Sequence, residues 1–113
     1  MLRISGFLLA VAMCLAAPAM AEDIAVVAIS LKDHVFTPSD IHVVSRKPVF
    51  LEITNNDPTP EEFDSGILGI EKVIPGGGKA RIRLRPLIEG SYKFIGEYHD
   101  QTAHGTIIAE PGS

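Results

Sequence analysis

The stretch Gly90-Ser91-Tyr92-Lys93-Phe94-Ile95-Gly96-Glu97-Tyr98-His99 decides how this chain reads. It has the composition of a β-strand entered from a glycine turn, and it ends in a glutamate and a histidine two residues apart. A strand that ends this way carries two metal-ligating side chains at one edge of a sheet. The sole cysteine is Cys14, far upstream. Metal chemistry at this strand end therefore uses oxygen and nitrogen donors, not thiolate.

Working outward, period-two alternation recurs, and nowhere does an i, i+3, i+4, i+7 apolar pattern persist over a dozen residues. Strands are expected over 24–32, 41–45, 48–54 (Val49, Leu51 and Ile53 on one face), 68–74, 80–85, 91–96 and 105–110. The punctuation agrees. Asn55-Asn56-Asp57-Pro58-Thr59-Pro60 reads as a loop, Pro75-Gly76-Gly77-Gly78 as a turn and Glu89-Gly90-Ser91 as another. About seven short strands separated by turn signals give an all-β, Greek-key β-sandwich. Leu87, Gly90 and Tyr92 resemble a tyrosine corner, which makes Tyr92 a structural residue.

The first 21 residues read as a cleaved signal peptide. Arg3 supplies its positive region, Phe7 to Ala17 its apolar run and Ala19-Met20-Ala21 its small-x-small cleavage site. The apolar run is too short for a comfortable membrane span. Cys14 follows Met13 and so lacks the small residue that a lipoprotein signal needs. The expectation is one domain over 22–113, exported to the periplasm and not itself membrane-spanning, with no cysteine left for a disulfide or a metal. A domain of this size buries only roughly 60–65% of its unfolded surface. The whole chain has 10 basic and 14 acidic residues, and Arg3 leaves with the leader. Arg81, Arg83 and Arg85, alternating with Ile82 and Leu84, read as the solvated face of a strand, so no nucleic-acid partner is expected.

If the third and sixth strands point the same way, the loops that follow them meet. Between them these loops hold Glu61, Glu62, Asp64, Glu97, His99, Asp100 and His104. Glu62 and Asp64 are spaced by two, as are Glu97 and His99, and in extended backbone such pairs project to one side. Glu62, Asp64, Glu97 and His99 are therefore the candidate metal ligands, with His104, His34 and Glu61 as further candidates. Three carboxylates and an imidazole suit iron, manganese, zinc or copper(II). Each also has a structural alternative: an exposed loop acid for Glu61 and Glu62, a loop cap for Asp64, a carboxylate-bonded loop histidine for His99. His42 reads as a surface strand residue. Ser65 lacks the context of a nucleophile elbow, and no helix follows Pro75-Gly76-Gly77-Gly78 to make a phosphate loop. No free-standing enzyme is expected.

Several of these residues fall in a familiar order. Phe36-x-Pro38, Ile41-x-Val43, Asn55-Asn56-Asp57 and Glu61-Glu62-Phe63-Asp64-Ser65 are followed by Glu71-Lys72-Val73-Ile74-Pro75-Gly76 and Pro86-Leu87. Tyr92-x-Phe94-x-Gly96-Glu97-Tyr98-His99, Thr102-Ala103 and Gly105 close the series. The order resembles the cupredoxin-like domains of bacterial iron-uptake systems, the EfeO-type or FtrB-type group, over nearly the whole of 22–113. That resemblance implies a periplasmic cupredoxin sandwich working beside other exported proteins and a membrane iron permease, where ferrous iron is bound and oxidised before transport. It places the acid-aromatic-acid signature on Glu62, Phe63 and Asp64, and the Gly-Glu-aromatic-His signature on Gly96 to His99. His99 then stands where ordinary cupredoxins keep a histidine ligand, and His104 where some place an axial methionine. The cysteine expected near Gly96 is absent, so no blue-copper centre is expected. The cargo or cofactor is iron (Fe2+ or Fe3+) or copper (Cu2+). A type-2 copper-binding protein in copper handling and a metal-free periplasmic adaptor are the competing readings.

Overall fold

The computed structural model describes residues 23–112, together with Gly6, Ala10 and Ala12; the leader assigned to residues 1–21 and its cleavage point lie outside that continuous stretch. Among the described residues nine strands follow in order: β1 (Ala25–Lys32), β2 (Val35–Thr37), β3 (Asp40–Val44), β4 (Val49–Asn55), β5 (Glu61–Ser65), β6 (Ile70–Ile74), β7 (Lys79–Leu84), β8 (Gly90–Gly96) and β9 (His104–Glu110). A single 3₁₀ turn, Glu97–His99, separates β8 from β9. The strands form two sheets, ordered β2-β1-β4-β7 and β3-β9-β8-β5-β6. Both are mixed, because β1 runs parallel to β4 and β3 parallel to β9. The expected all-β sandwich is present, and the seven strands read from the sequence are all in it with small shifts of boundary.

Alternation builds the core. β3 buries Ile41 and Val43, β4 buries Val49, Leu51 and Ile53, and β7 buries Ala80, Ile82 and Leu84 while Lys79, Arg81 and Arg83 stay outside. Three aromatic rings join the two sheets. Phe63 of β5 stacks on Phe94 of β8 at 4.7 Å, and Phe36 of β2 meets Phe94 edge-on at 5.3 Å. The Tyr92 hydroxyl donates to the Ile88 carbonyl at 2.7 Å, the bond of a tyrosine corner. His42 lies on the outer face of β3 and pairs with Glu110 at 2.9 Å.

Two local expectations need correction. Residues 61–64, read as part of a loop, belong to β5, which is hydrogen-bonded to β6 on one side and β8 on the other. Its acidic composition hides it, because β propensity is mostly a report of burial and neighbours and this strand gains both from the fold. Glu97 and His99, read as an extended pair, sit in the 3₁₀ turn and so do not project to one side.

Candidate metal centre

Each of the three side chains at the loop end of the sandwich is delivered by a different device. His34 comes from the two-residue turn between β1 and β2. Asp33 and His34 both hold positive φ, 52° and 57°, and Lys32 faces Val35 across the hairpin. That is the geometry of a type I′ turn, here built without glycine. The left-handed region costs most L-residues about 1–2 kcal/mol, with Asp among the more tolerant, so the turn needs outside support. Asp57 gives it. One carboxylate oxygen accepts from the Asp33 N–H at 2.7 Å and the other from the His34 N–H at 2.9 Å. Burial alone would raise the Asp57 pKa. The two amides, with the charges of His34 and Lys32, more than offset that and hold it below the ordinary range. Asp57 is itself placed by Asn55, whose buried side chain accepts from the Asp57 N–H and donates to the Thr59 and Ile74 carbonyls.

Glu61 is the inward-facing first residue of β5 and is only 1% exposed. Both of its carboxylate oxygens have polar partners. Oε1 accepts the N–H groups of Glu62 at 3.1 Å and Tyr98 at 2.9 Å, and Oε2 meets His99 Nδ1 at 2.6 Å. The Glu61 carboxylate and the His99 Nδ1 thus face each other directly. His99, the last residue of the 3₁₀ turn, keeps 32% of its side chain accessible. Its ring stacks on His34 with centroids 3.5 Å apart and planes 10° from parallel. Thr102 completes the assembly, its hydroxyl donating to the His34 carbonyl at 2.7 Å.

His34, Glu61 and His99 each offer one ligand atom, and these atoms lie within 4.8 Å of one another; among the described residues no other three such groups converge as closely. Two imidazoles and a carboxylate are the donor set of the facial triad that binds non-haem iron(II), and they also suit copper(II) and zinc. Gly96 stands behind the carboxylate. A Cβ added there would come within 2.7 Å of the Ala103 Cβ and 2.8 Å of Glu61 Cδ. Glu61 thus fills the space that a side chain at 96 would need, which is a physical reason for the absence of a cysteine.

Strand alternation separates the residues read as one site. Glu61 faces inward, whereas Glu62 and Asp64 lie on the opposite face of β5. Asp64 is held there among Glu62, Glu71 and Glu97. Burial, then the charges of Glu62 and Glu71, raise its pKa, and its Oδ1 has no hydrogen-bond partner. His104 begins β9, opposite Ile95, and lines a surface depression with Ser39, Asp40 and Lys93. Of the seven candidates, then, His34, Glu61 and His99 meet, Glu62, Asp64 and Glu97 gather elsewhere, and His104 joins neither group. Asp57 and Thr102 were not read as site residues. The one sequence signal for them was the Asp33-His34 pair directly after the first strand-like run, where the chain must turn.

A family model described as the cupredoxin-like domain matches residues 6–109. This chain belongs to the cupredoxin-like family. An uncharacterized protein of Rickettsia prowazekii (strain Madrid E) is 39% identical over 87 residues, covering 77% of this chain and 70% of that one. Among solved structures, the cupredoxin-like domain is similar to the metal-binding domain of the Cu(I)-exporting P-type ATPase CopA of Streptococcus pneumoniae D39. The TM-score is 0.70 at 17% identity, over 80% of this chain and 89% of that one. It is also similar to auracyanin A, a blue copper protein of Chloroflexus aurantiacus, with a TM-score of 0.64 at 10% identity over 78% and 100% of the two chains. At such identities these likenesses speak to the fold. Among the described residues, no helix is long and apolar enough to cross a membrane.

Proposed function

We propose that this cupredoxin-like protein is a periplasmic metal-binding protein whose centre is built on His34, Glu61 and His99. The observation that carries this reading is the convergence of those three ligand groups at one loop end of the sandwich. Its first cargo in this reading is ferrous iron, held where an external one-electron oxidant can take it to the ferric state before it passes to a membrane permease of an iron-uptake system of the EfeO or FtrB type. The two-imidazole, one-carboxylate donor set supports iron, and the buried carboxylate favours the higher charge of iron(III). The acidic face made by Glu62, Asp64, Glu71 and Glu97, on the reverse of β5, attracts cations toward this end without completing the centre.

Copper is the second reading, favoured by the likeness to the metal-binding domain of a Cu(I) exporter and to a copper binding protein. Copper(II) outcompetes iron(II) at most nitrogen–oxygen sites, so affinity rank alone does not separate the two. The test therefore has two arms. The purified, metal-stripped exported protein is titrated with iron(II) without oxygen, with iron(III)-citrate and with copper(II), beside Glu61→Ala/His99→Ala. Stoichiometric binding that the double variant loses is expected; equal binding by both proteins removes the site. Strains lacking the protein are then grown under iron limitation and under copper excess. A defect confined to iron limitation supports the iron role, and one confined to copper excess replaces it with copper handling.

A further inference from the structure

The support around His34 carries an inference that rests on the metal-centre reading above. We infer that Asp57 and Thr102 are the positioning residues of the centre, and that together they hold His34 as its third ligand.

A histidine on a two-residue turn is a poor ligand unless the turn is fixed, because an unsupported hairpin tip samples many orientations. Here the tip is tied from two directions. From β4's side, the Asp57 carboxylate, 4% exposed, takes both amides of the left-handed pair Asp33-His34. From the side of the His99 loop, Thr102 Oγ donates to the His34 carbonyl at 2.7 Å. The same loop is closed on itself, with the Thr102 and Ala103 N–H groups donating to the His99 carbonyl at 3.2 and 2.8 Å. Thr102 therefore clamps the His34 turn to the segment that carries His99, and the 3.5 Å stack of the two imidazoles is the result. None of Asp33, Asp57 and Thr102 belongs to the converging ligand group. Asp57 and Thr102 act through His34.

Partners of this kind, removed one at a time, typically cost 10–100-fold in metal affinity. The experiment uses copper(II) alone as probe, read by chelator competition and by the nitrogen hyperfine pattern in electron paramagnetic resonance. Thr102→Val and Asp57→Asn are each expected to weaken copper(II) at least about tenfold and to reduce the nitrogen pattern to that of His34→Ala. Thr102→Ser, which keeps the hydroxyl, restores the wild-type pattern. In a His34→Ala background neither substitution weakens binding further, an outcome that a merely structural role would not give. Asp57 also supports the fold, so the melting temperature of the metal-free variants is measured alongside. Thr102 donates from an exposed loop, and Thr102→Val decides the matter if Asp57→Asn does not fold. Wild-type affinity in Thr102→Val overturns the inference while leaving the centre standing, as does a loss of equal size with or without His34. Failure of the wild-type protein itself to bind copper(II) overturns both.

Discussion

Two aspartates near the ends of β4 and β5 show how much a carboxylate's role depends on what faces it. Asp57 lies under a turn and receives two amide N–H bonds, so its pKa is lowered in spite of burial. Stability from Asp57 is present above the unfolded aspartate pKa and is lost as pH falls through its lower folded value. Asp64 is the reverse. Burial and the neighbouring charges of Glu62 and Glu71 raise its folded pKa, and one of its oxygens is unpartnered. Ionising it opposes folding, and this penalty disappears as pH drops below the usual aspartate value of about 3.9, where both states are protonated. Asp64→Asn is therefore expected to be more stable than wild type at neutral pH, with an advantage that shrinks on acidification. Urea melts at a series of pH values check this. A neutral-pH loss of stability would mean that the carboxylate has a cationic partner.

Among the elements, β5 is the one whose reading matters most, because it turns Glu61 from a loop acid into a buried member of the proposed centre. If residues 61–65 form a strand, Phe63 is a core residue between Phe36 and Phe94. Phe63→Ala is then expected to cost about 3–5 kcal/mol. Denaturant unfolding would check it, and a cost under about 0.5 kcal/mol, that of a surface position, would return the segment to a loop. The strands rich in valine and isoleucine, such as β1 and β4, were legible in the sequence because alternation and propensity agree there. So was the tyrosine corner, whose Leu87, Gly90 and Tyr92 follow one another closely. β5 was not, because Glu61-Glu62-Phe63-Asp64-Ser65 gains strand geometry from its pairing with β6 and β8. β2 was missed at three residues, too short to show a period. The candidate site followed suit. His99 was legible as a candidate, but that Glu61, and not Glu62 or Asp64, lies on the face toward His99 is a matter of strand parity, and the parity of a strand is invisible until the strand is recognised.

At the scale of the whole molecule, the proposed centre draws on segments that are distant in sequence. The β1–β2 turn, the Asn55–Pro60 loop, β5 and the 3₁₀ turn all meet there, and each strand of the sandwich that supports them must already be in place. The unfolded chain holds His34, Glu61 and His99 far apart, so a metal at this site binds the native state in preference to the unfolded one. The linkage has a definite size. At a free metal concentration one hundred times its Kd, native-state stability rises by about 2.7 kcal/mol. For a domain of this length each kcal/mol moves Tm by roughly 4–8 °C, so the rise should be on the order of 10 °C or more. Melting curves of the purified protein with copper(II), and with iron(II) in the absence of oxygen, measure it directly. The increase should grow with the logarithm of metal concentration, vanish with a chelator and shrink sharply in His99→Ala. The same treatment should leave Asp64→Asn with its full increase, since in the proposed centre the outer acidic face contributes no ligand. A rise of equal size in His99→Ala would place the metal elsewhere on the chain, and a full loss of the rise in Asp64→Asn would move the centre to the other face of β5.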